Sequence, residues 1–207
     1  MKSSIVVEES YRAFHAGQSP PPAFFYCSRN PAEPTRSDPT AILASIARQL
    51  SHTDPCFRLL PPAIATYKKR EEDSFASGPL GIEESRALII ELVEYYELTT
   101  IIIDALDECH PAKQHELLEA IEAILRQSSR LVKIFISSRD DQDIVLRLND
   151  YPNLELTSDR NTQDIKTFVE TETDNLIKKN MLLRFSEDRE QLRKLIISQL
   201  ALGANGM

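Results

Sequence analysis

The chain has 207 residues, room for one α/β domain or one domain with a small helical appendage. At 42% hydrophobic and 27% charged residues it can bury a core, and no apolar run reaches the ~18–20 residues of a membrane span. With 32 acidic against 24 basic residues the net charge is −8, which excludes a nonspecific binder of phosphate backbones but leaves room for a local single-nucleotide site. Cys27, Cys56 and Cys109 are odd in number and widely spaced, as suits reduced thiols in a cytosolic or nuclear protein. The N-terminus lacks the charged-then-apolar order of a signal peptide, so a cytoplasmic protein is expected.

In chain order, 4–14 reads as a helix with Ile5, Val6, Val7, Tyr11 and Phe14 on an uneven apolar face. A turn-rich break at 17–22 leads to a short aromatic strand at 23–28. Asp38-Pro39 is a helix start, an N-cap acid before proline at the first helical position. Ile42, Leu43, Ile46, Ala47 and Leu50 then recur at helical spacing. The stretch 51–81 is irregular, with a helix expected at 63–72. A clearer helix covers 82–96, with Leu88, Ile89, Leu92, Val93 and Tyr96 inward.

The central feature is the run Leu98-Thr99-Thr100-Ile101-Ile102-Ile103-Asp104, followed by Asp107, Glu108 and Cys109. A strand apolar on both faces belongs inside a parallel sheet. Pro111 then opens a helix with Leu117, Leu118, Ile121, Ile124 and Leu125 as its buried stripe. A second β-rich run, 131–136, ends in Ser137-Ser138-Arg139-Asp140. A short helix at 142–148, a small strand at 154–156, a helix capped at Asn161 with Asp164 three residues on, and a last helix at 187–201 complete the series. Strands alternating with helices point to a parallel sheet joined by crossovers.

Open α/β sheets bind ligands at the carboxyl ends of their strands. Asp104 would stand at such an end, with Asp107 and Glu108 in the loop beyond. One hard carboxylate can hold Mg²⁺ through its water shell, and a second acid can polarise an attacking water. The plain alternative is a solvated loop whose acids favour the next helix N-terminus. Arg139, if its strand lies beside the central one, reaches the same edge and can bind a terminal phosphate. Its plain alternative is an ion pair with Asp140, Asp141, Asp107 or Glu108. The phosphate cradle of a nucleotide site, a glycine-rich loop ending in Lys-Ser/Thr, is not among these residues: the five glycines are Gly17, Gly78, Gly81, Gly203 and Gly206.

Thr100-Ile-Ile-Ile-Asp104-Ala-Leu-Asp107-Glu108 resembles the extended Walker B motif of NACHT-type signal-transduction NTPases. Phe135-Ile-Ser-Ser-Arg139 is similar to their sensor-1 strand, and Phe24-Phe-Tyr-Cys-Ser-Arg29 with Asp38-Pro-x-x-Ile-Leu resembles the second strand and helix of the fungal, nephrocystin-like N-terminal branch. Ala204-Asn-Gly-Met207 is similar to the start of the helix after that core.

The resemblance implies an α/β fold: a three-layer parallel sheet of P-loop NTPase type lacking its first (Walker A) strand, with C-terminal helices. It divides the chain into a partial NTPase core at 1–160 and a helical segment at 161–207. It implies Asp104 as the Mg²⁺ residue, Asp107 or Glu108 as the water-activating acid, and Arg139 as the phosphate sensor, with ATP or GTP as nucleotide. Family members are switches that carry an effector domain and ankyrin, WD or similar repeats and oligomerise in signalling. The glycine-rich loop would lie before Met1, so the chain is expected to be a fragment of such a protein, with no nucleic-acid or membrane partner.

Two other readings stand beside this one. In the first, the chain keeps the fold as a non-hydrolysing interaction module. In the second, Asp104, Asp107, Glu108, Cys109, His110 and His115 serve a metal-dependent enzyme, although they show no recognised metal-ligand spacing. Cys27 and Cys109 read as buried structural thiols.

Overall fold

The computed structural model describes residues 2–17, 19–52, 58–72, 78–154 and 158–203. Two compact units divide the chain, Met1–Arg147 and Leu148–Met207.

The first unit is an α/β layer structure with three parallel strands in the order β1-β2-β3. These are β1 (Ala23–Tyr26), β2 (Leu98–Asp104) and β3 (Leu131–Ile136). Around them run α1 (Lys2–His15), α2 (Pro39–Leu50), α3 (Pro61–Glu72), α4 (Ile82–Val93), α5 (Gln114–Gln127) and α6 (Gln142–Leu148). Parallel neighbours need crossovers, and helices supply both: α2, α3 and α4 from β1 to β2, and α5 from β2 to β3. Ile101, Ile102 and Ile103 are at most 2% exposed, so β2 is covered on both faces. Tyr11 of α1 meets Phe24 edge-on at 6.1 Å, and the register puts Phe24 beside Ile102, which assigns α1 to that face. Helices α2, α4 and α5 pack together as the other layer.

The central strand occupies the residues its pattern predicts. Helix α2 starts where Asp38-Pro39 places it; the Asp38 carboxylate accepts from Thr40 N–H at 3.4 Å, and all five periodic apolar residues are buried. Several ends differ. Strand β1 stops at Tyr26 instead of 28. Helix α4 stops at Val93 instead of 96, yet Tyr96 stays buried because its hydroxyl donates to the Leu50 carbonyl at 2.7 Å. Pro111 opens a 3₁₀ turn, Pro111–Lys113, and the α-helix starts only at Gln114, which is drawn inward by donating Nε2–H to the Leu106 carbonyl at 3.2 Å. Leu125 is half-buried, whereas the other four residues of that stripe are buried.

The two outer strands end the sheet differently. Gln49 closes the β1 edge: its Oε1 accepts from Phe24 N–H at 3.0 Å and its Nε2 donates to Phe24 C=O at 2.8 Å. Arg36 Nε donates to Tyr26 C=O at 3.1 Å on the same side. Among the described residues β3 pairs with β2 alone, and Leu131 and Phe135 are exposed. Short outer strands with side-chain cover are a usual defence against edge pairing.

The second unit contains α7 (Ser158–Lys178) and α8 (Arg189–Gly203), which pack on each other. Arg193 bridges them through Nε and Nη2 to both oxygens of Asp174, at 2.6 and 2.9 Å. Helix α7 begins three residues before the expected cap at Asn161. Helix α8 lies two residues beyond the expected 187–201 at both ends. The expected strand at 154–156 falls on Leu154, which is in no element, and on residues outside those described; Cys56 and 204–207 also lie outside them. No described helix is long and apolar enough to cross a membrane.

Candidate functional site

Because both strand pairs are parallel, the carboxyl ends of β1, β2 and β3 share one rim. The register pairs Tyr26 with Asp104 and Ile103 with Ile136, so 27–29, 104–108 and 137–139 converge there. Asp104 is the last residue of β2, and Arg139 lies three residues past the end of β3 at the same rim.

Past Asp104 the chain turns sharply. Ala105 has φ 54° and ψ 52°, a left-handed conformation that L-residues other than Asn and Asp rarely adopt. A 3₁₀ turn, Leu106–Glu108, follows, and Leu106 is fully buried beneath it. The turn is held by β3: Leu106 N–H donates to Ser137 C=O at 2.9 Å, and Ala105 N–H donates to Ser137 Oγ at 3.0 Å. The Ser137 hydroxyl in turn donates to Asp104 Oδ1.

The two further acids face the neighbouring strand tips. Asp107 Oδ1 accepts from Arg139 N–H at 3.0 Å, and its Oδ2 lies 3.7 Å from Arg139 Nε. Glu108 Oε1 lies 3.5 Å from the Arg139 guanidinium, and its Oε2 accepts from Arg29 N–H at 3.2 Å. The Arg29 guanidinium donates to the Asp107 carbonyl. Asp107 and Glu108 therefore tie all three strand tips together. Of Arg139's four possible carboxylate partners, the structure selects Asp107 and Glu108. Its side chain is nonetheless 83% exposed.

The thiols behave as buried apolar groups. Burial pushes Cys27 up to about 12 and Cys109 up to about 11, and the Cys109 thiol donates to Ser37 C=O at 3.4 Å. His110 and His115 are exposed, and no group of three or more His, Cys, Asp or Glu able to hold a metal exists among the described residues. This donor set does not fit a metal caged by protein alone. It fits Mg²⁺ bound mainly by phosphates and water with one carboxylate in support, the usual arrangement in nucleotide sites. Asp104, which accepts from the Ser137 hydroxyl, could supply that carboxylate.

Two residues at the rim, Arg29 and Ser137, were not singled out by the sequence reading. Strand order would have revealed both: once β1, β2 and β3 are known as parallel neighbours, residues just past each strand end must meet.

A family model described as nephrocystin 3, N-terminal, matches residues 1–139. No curated protein and no solved structure matches.

Proposed function

We propose, from the premise that this chain belongs to the nephrocystin 3, N-terminal family, that it is the core of a nucleotide-dependent signalling switch of NACHT type. The observation that supports this is the shared carboxyl rim of β2 and β3, where Asp104 ends its strand and Arg139, three residues past Ile136, reaches Asp107 and Glu108 in the loop after Asp104. In this reading Asp104 would help to hold Mg²⁺ beside the phosphates of ATP or GTP, and the ion would supply neutralisation of phosphate charge. Arg139 turns to the terminal phosphate. Asp107 or Glu108, relieved of that guanidinium, orients the attacking water. The exchange is feasible because Arg139 is mostly exposed, and an ion pair of that kind is worth only about 0–1 kcal/mol.

The 207 residues contain no glycine-rich phosphate loop, and the reading requires one. In this reading the strand that would carry it pairs along the outer side of β3. Gln49 and Arg36 occupy the outer edge of β1, whereas β3 pairs only with β2 among the described residues. Effector and repeat domains of ankyrin or WD type, and self-association, belong to the same reading as partners in a longer protein.

A second reading has its own observation. Asp107 and Glu108 already bind strand tips together, as they would in an interaction module that keeps the fold and binds no nucleotide. Titration with a fluorescent ATP analogue in Mg²⁺, with and without a phosphate-loop strand supplied in trans, separates the two. Binding that disappears in Asp104→Asn and weakens in Arg139→Ala supports the switch. Identical signals from all three proteins would leave only the interaction module.

A further inference from the structure

The turn between α7 and α8 is held in place and yet presents apolar side chains to solvent. Asn180 N–H donates to Ile177 C=O at 3.0 Å and Met181 N–H to Leu176 C=O at 2.9 Å, closing the end of α7. Asn180 has φ 55°, which its residue type tolerates; Leu183 also has φ 55°, which a leucine adopts only against a steric penalty. Ser186 N–H donates to Leu183 C=O at 3.3 Å, and Arg189 Nη2 donates to the Arg184 carbonyl at 2.8 Å. The Arg193–Asp174 pair ties the two helices close to the turn. This ordered turn does not bury its largest side chains. Phe185 is 89% exposed, the highest value for a large apolar residue among the described residues, and Met181 is 72% exposed. Strain kept where apolar surface is shown to solvent points to a contact outside the chain.

Charge selects the partner. The whole chain carries −8, but residues 178–186 contain Lys178, Lys179 and Arg184 and no acid. All three cations are exposed, and the Arg184 guanidinium lies 5.1 Å from the centre of the Phe185 ring. The acids that follow, Glu187, Asp188 and Glu190, stand at the start of α8, where negative charge favours the helix. A specific protein interface takes about 20–30 residues a side, far more than this tip supplies. A bilayer demands no matching shape: apolar side chains enter the boundary between headgroups and acyl chains, and cations meet anionic headgroups.

We propose that the α7–α8 turn is a membrane-docking tip: Phe185 and Met181 enter the interface of an anionic bilayer, and Lys178, Lys179 and Arg184 meet its headgroups. The contact is peripheral and needs no spanning helix. It departs from the expectation of no membrane partner, and it is independent of the nucleotide reading.

Flotation of the whole chain with phosphatidylcholine vesicles, with and without phosphatidylserine, tests this. Wild type should float with the mixed vesicles and not with phosphatidylcholine alone. Phe185→Ala should weaken binding about tenfold or more, and Lys178→Gln with Lys179→Gln about fivefold for each charge removed. The chain contains no tryptophan, so Phe185→Trp introduces a single reporter, whose emission should shift to the blue on the mixed vesicles. Absence of flotation, equal flotation with both vesicle types, full binding by Phe185→Ala, or an unshifted emission from Phe185→Trp would each overturn the proposal. Self-association of the lipid-free chain that Phe185→Ala abolishes, without flotation, would make the tip a protein contact instead.

Discussion

Replacing Asp107 by alanine should cost more stability than replacing its partner Arg139, although the two share an ion pair. Asp107 is 13% exposed and its Oδ1 accepts from the Arg139 backbone N–H at 3.0 Å. A hydrogen bond to a charged group contributes about 1.5–3 kcal/mol. The freed amide belongs to an exposed residue, so water recovers part of the loss, and about 1–2 kcal/mol is expected for Asp107→Ala. Arg139→Ala leaves that bond intact. It removes only contacts at 3.7 and 3.5 Å from a side chain 83% exposed, worth about 0–1 kcal/mol. Asp107→Asn keeps an oxygen acceptor and should fall between. The order is Asp107→Ala, Asp107→Asn, Arg139→Ala, and only the last effect should vanish in 1 M salt, where the screening length is about 3 Å. Hydrogen exchange suits the question because the chain has two units: Ile102 and Ile103 amides report opening of the sheet, and the Arg139 amide reports the turn. A larger loss from Arg139→Ala than from Asp107→Ala would refute the reasoning, since it would make the guanidinium and not the backbone bond the main tie.

Ala105→Gly should stabilise the protein by about 0.5–1 kcal/mol, because glycine removes a left-handed penalty of about 1–2 kcal/mol but carries its own entropic cost; a lower thermal midpoint would contradict the strain. Gln49→Ala strips both backbone groups of half-buried Phe24 of their partner and should cost about 1–2 kcal/mol. It also opens the β1 edge, so sedimentation velocity should detect association; a stable monomer would show that water suffices there. Cys27, Cys109 and Tyr96 hold their protons to about 12, about 11 and about 12 by burial, above ordinary values of 9.0, 9.0 and 10.0. Above pH 9 the folded chain therefore binds more protons than the unfolded one, and stability should fall steadily from pH 9 to 11 in denaturant titrations. A flat profile there would mean the thiols are accessible to water.

Local pattern was enough for much of this chain. Ile101-Ile102-Ile103 could only be a strand covered on both sides, and Asp38-Pro39 could only begin a helix, because apolar periodicity and cap chemistry act within a few residues. The acids at the end of β2 were legible for the same reason. Element ends were less so: Tyr96 keeps its burial outside α4 through a bond to Leu50, and Gln114 is drawn inward by Leu106, contacts 46 and 8 residues away. What the fold alone decided is the company the acids keep. Arg29 and Ser137 lie 79 and 33 residues from their acidic partners Glu108 and Asp104. Their meeting depends on strand order and register, which long-range packing sets and no local run of residues encodes.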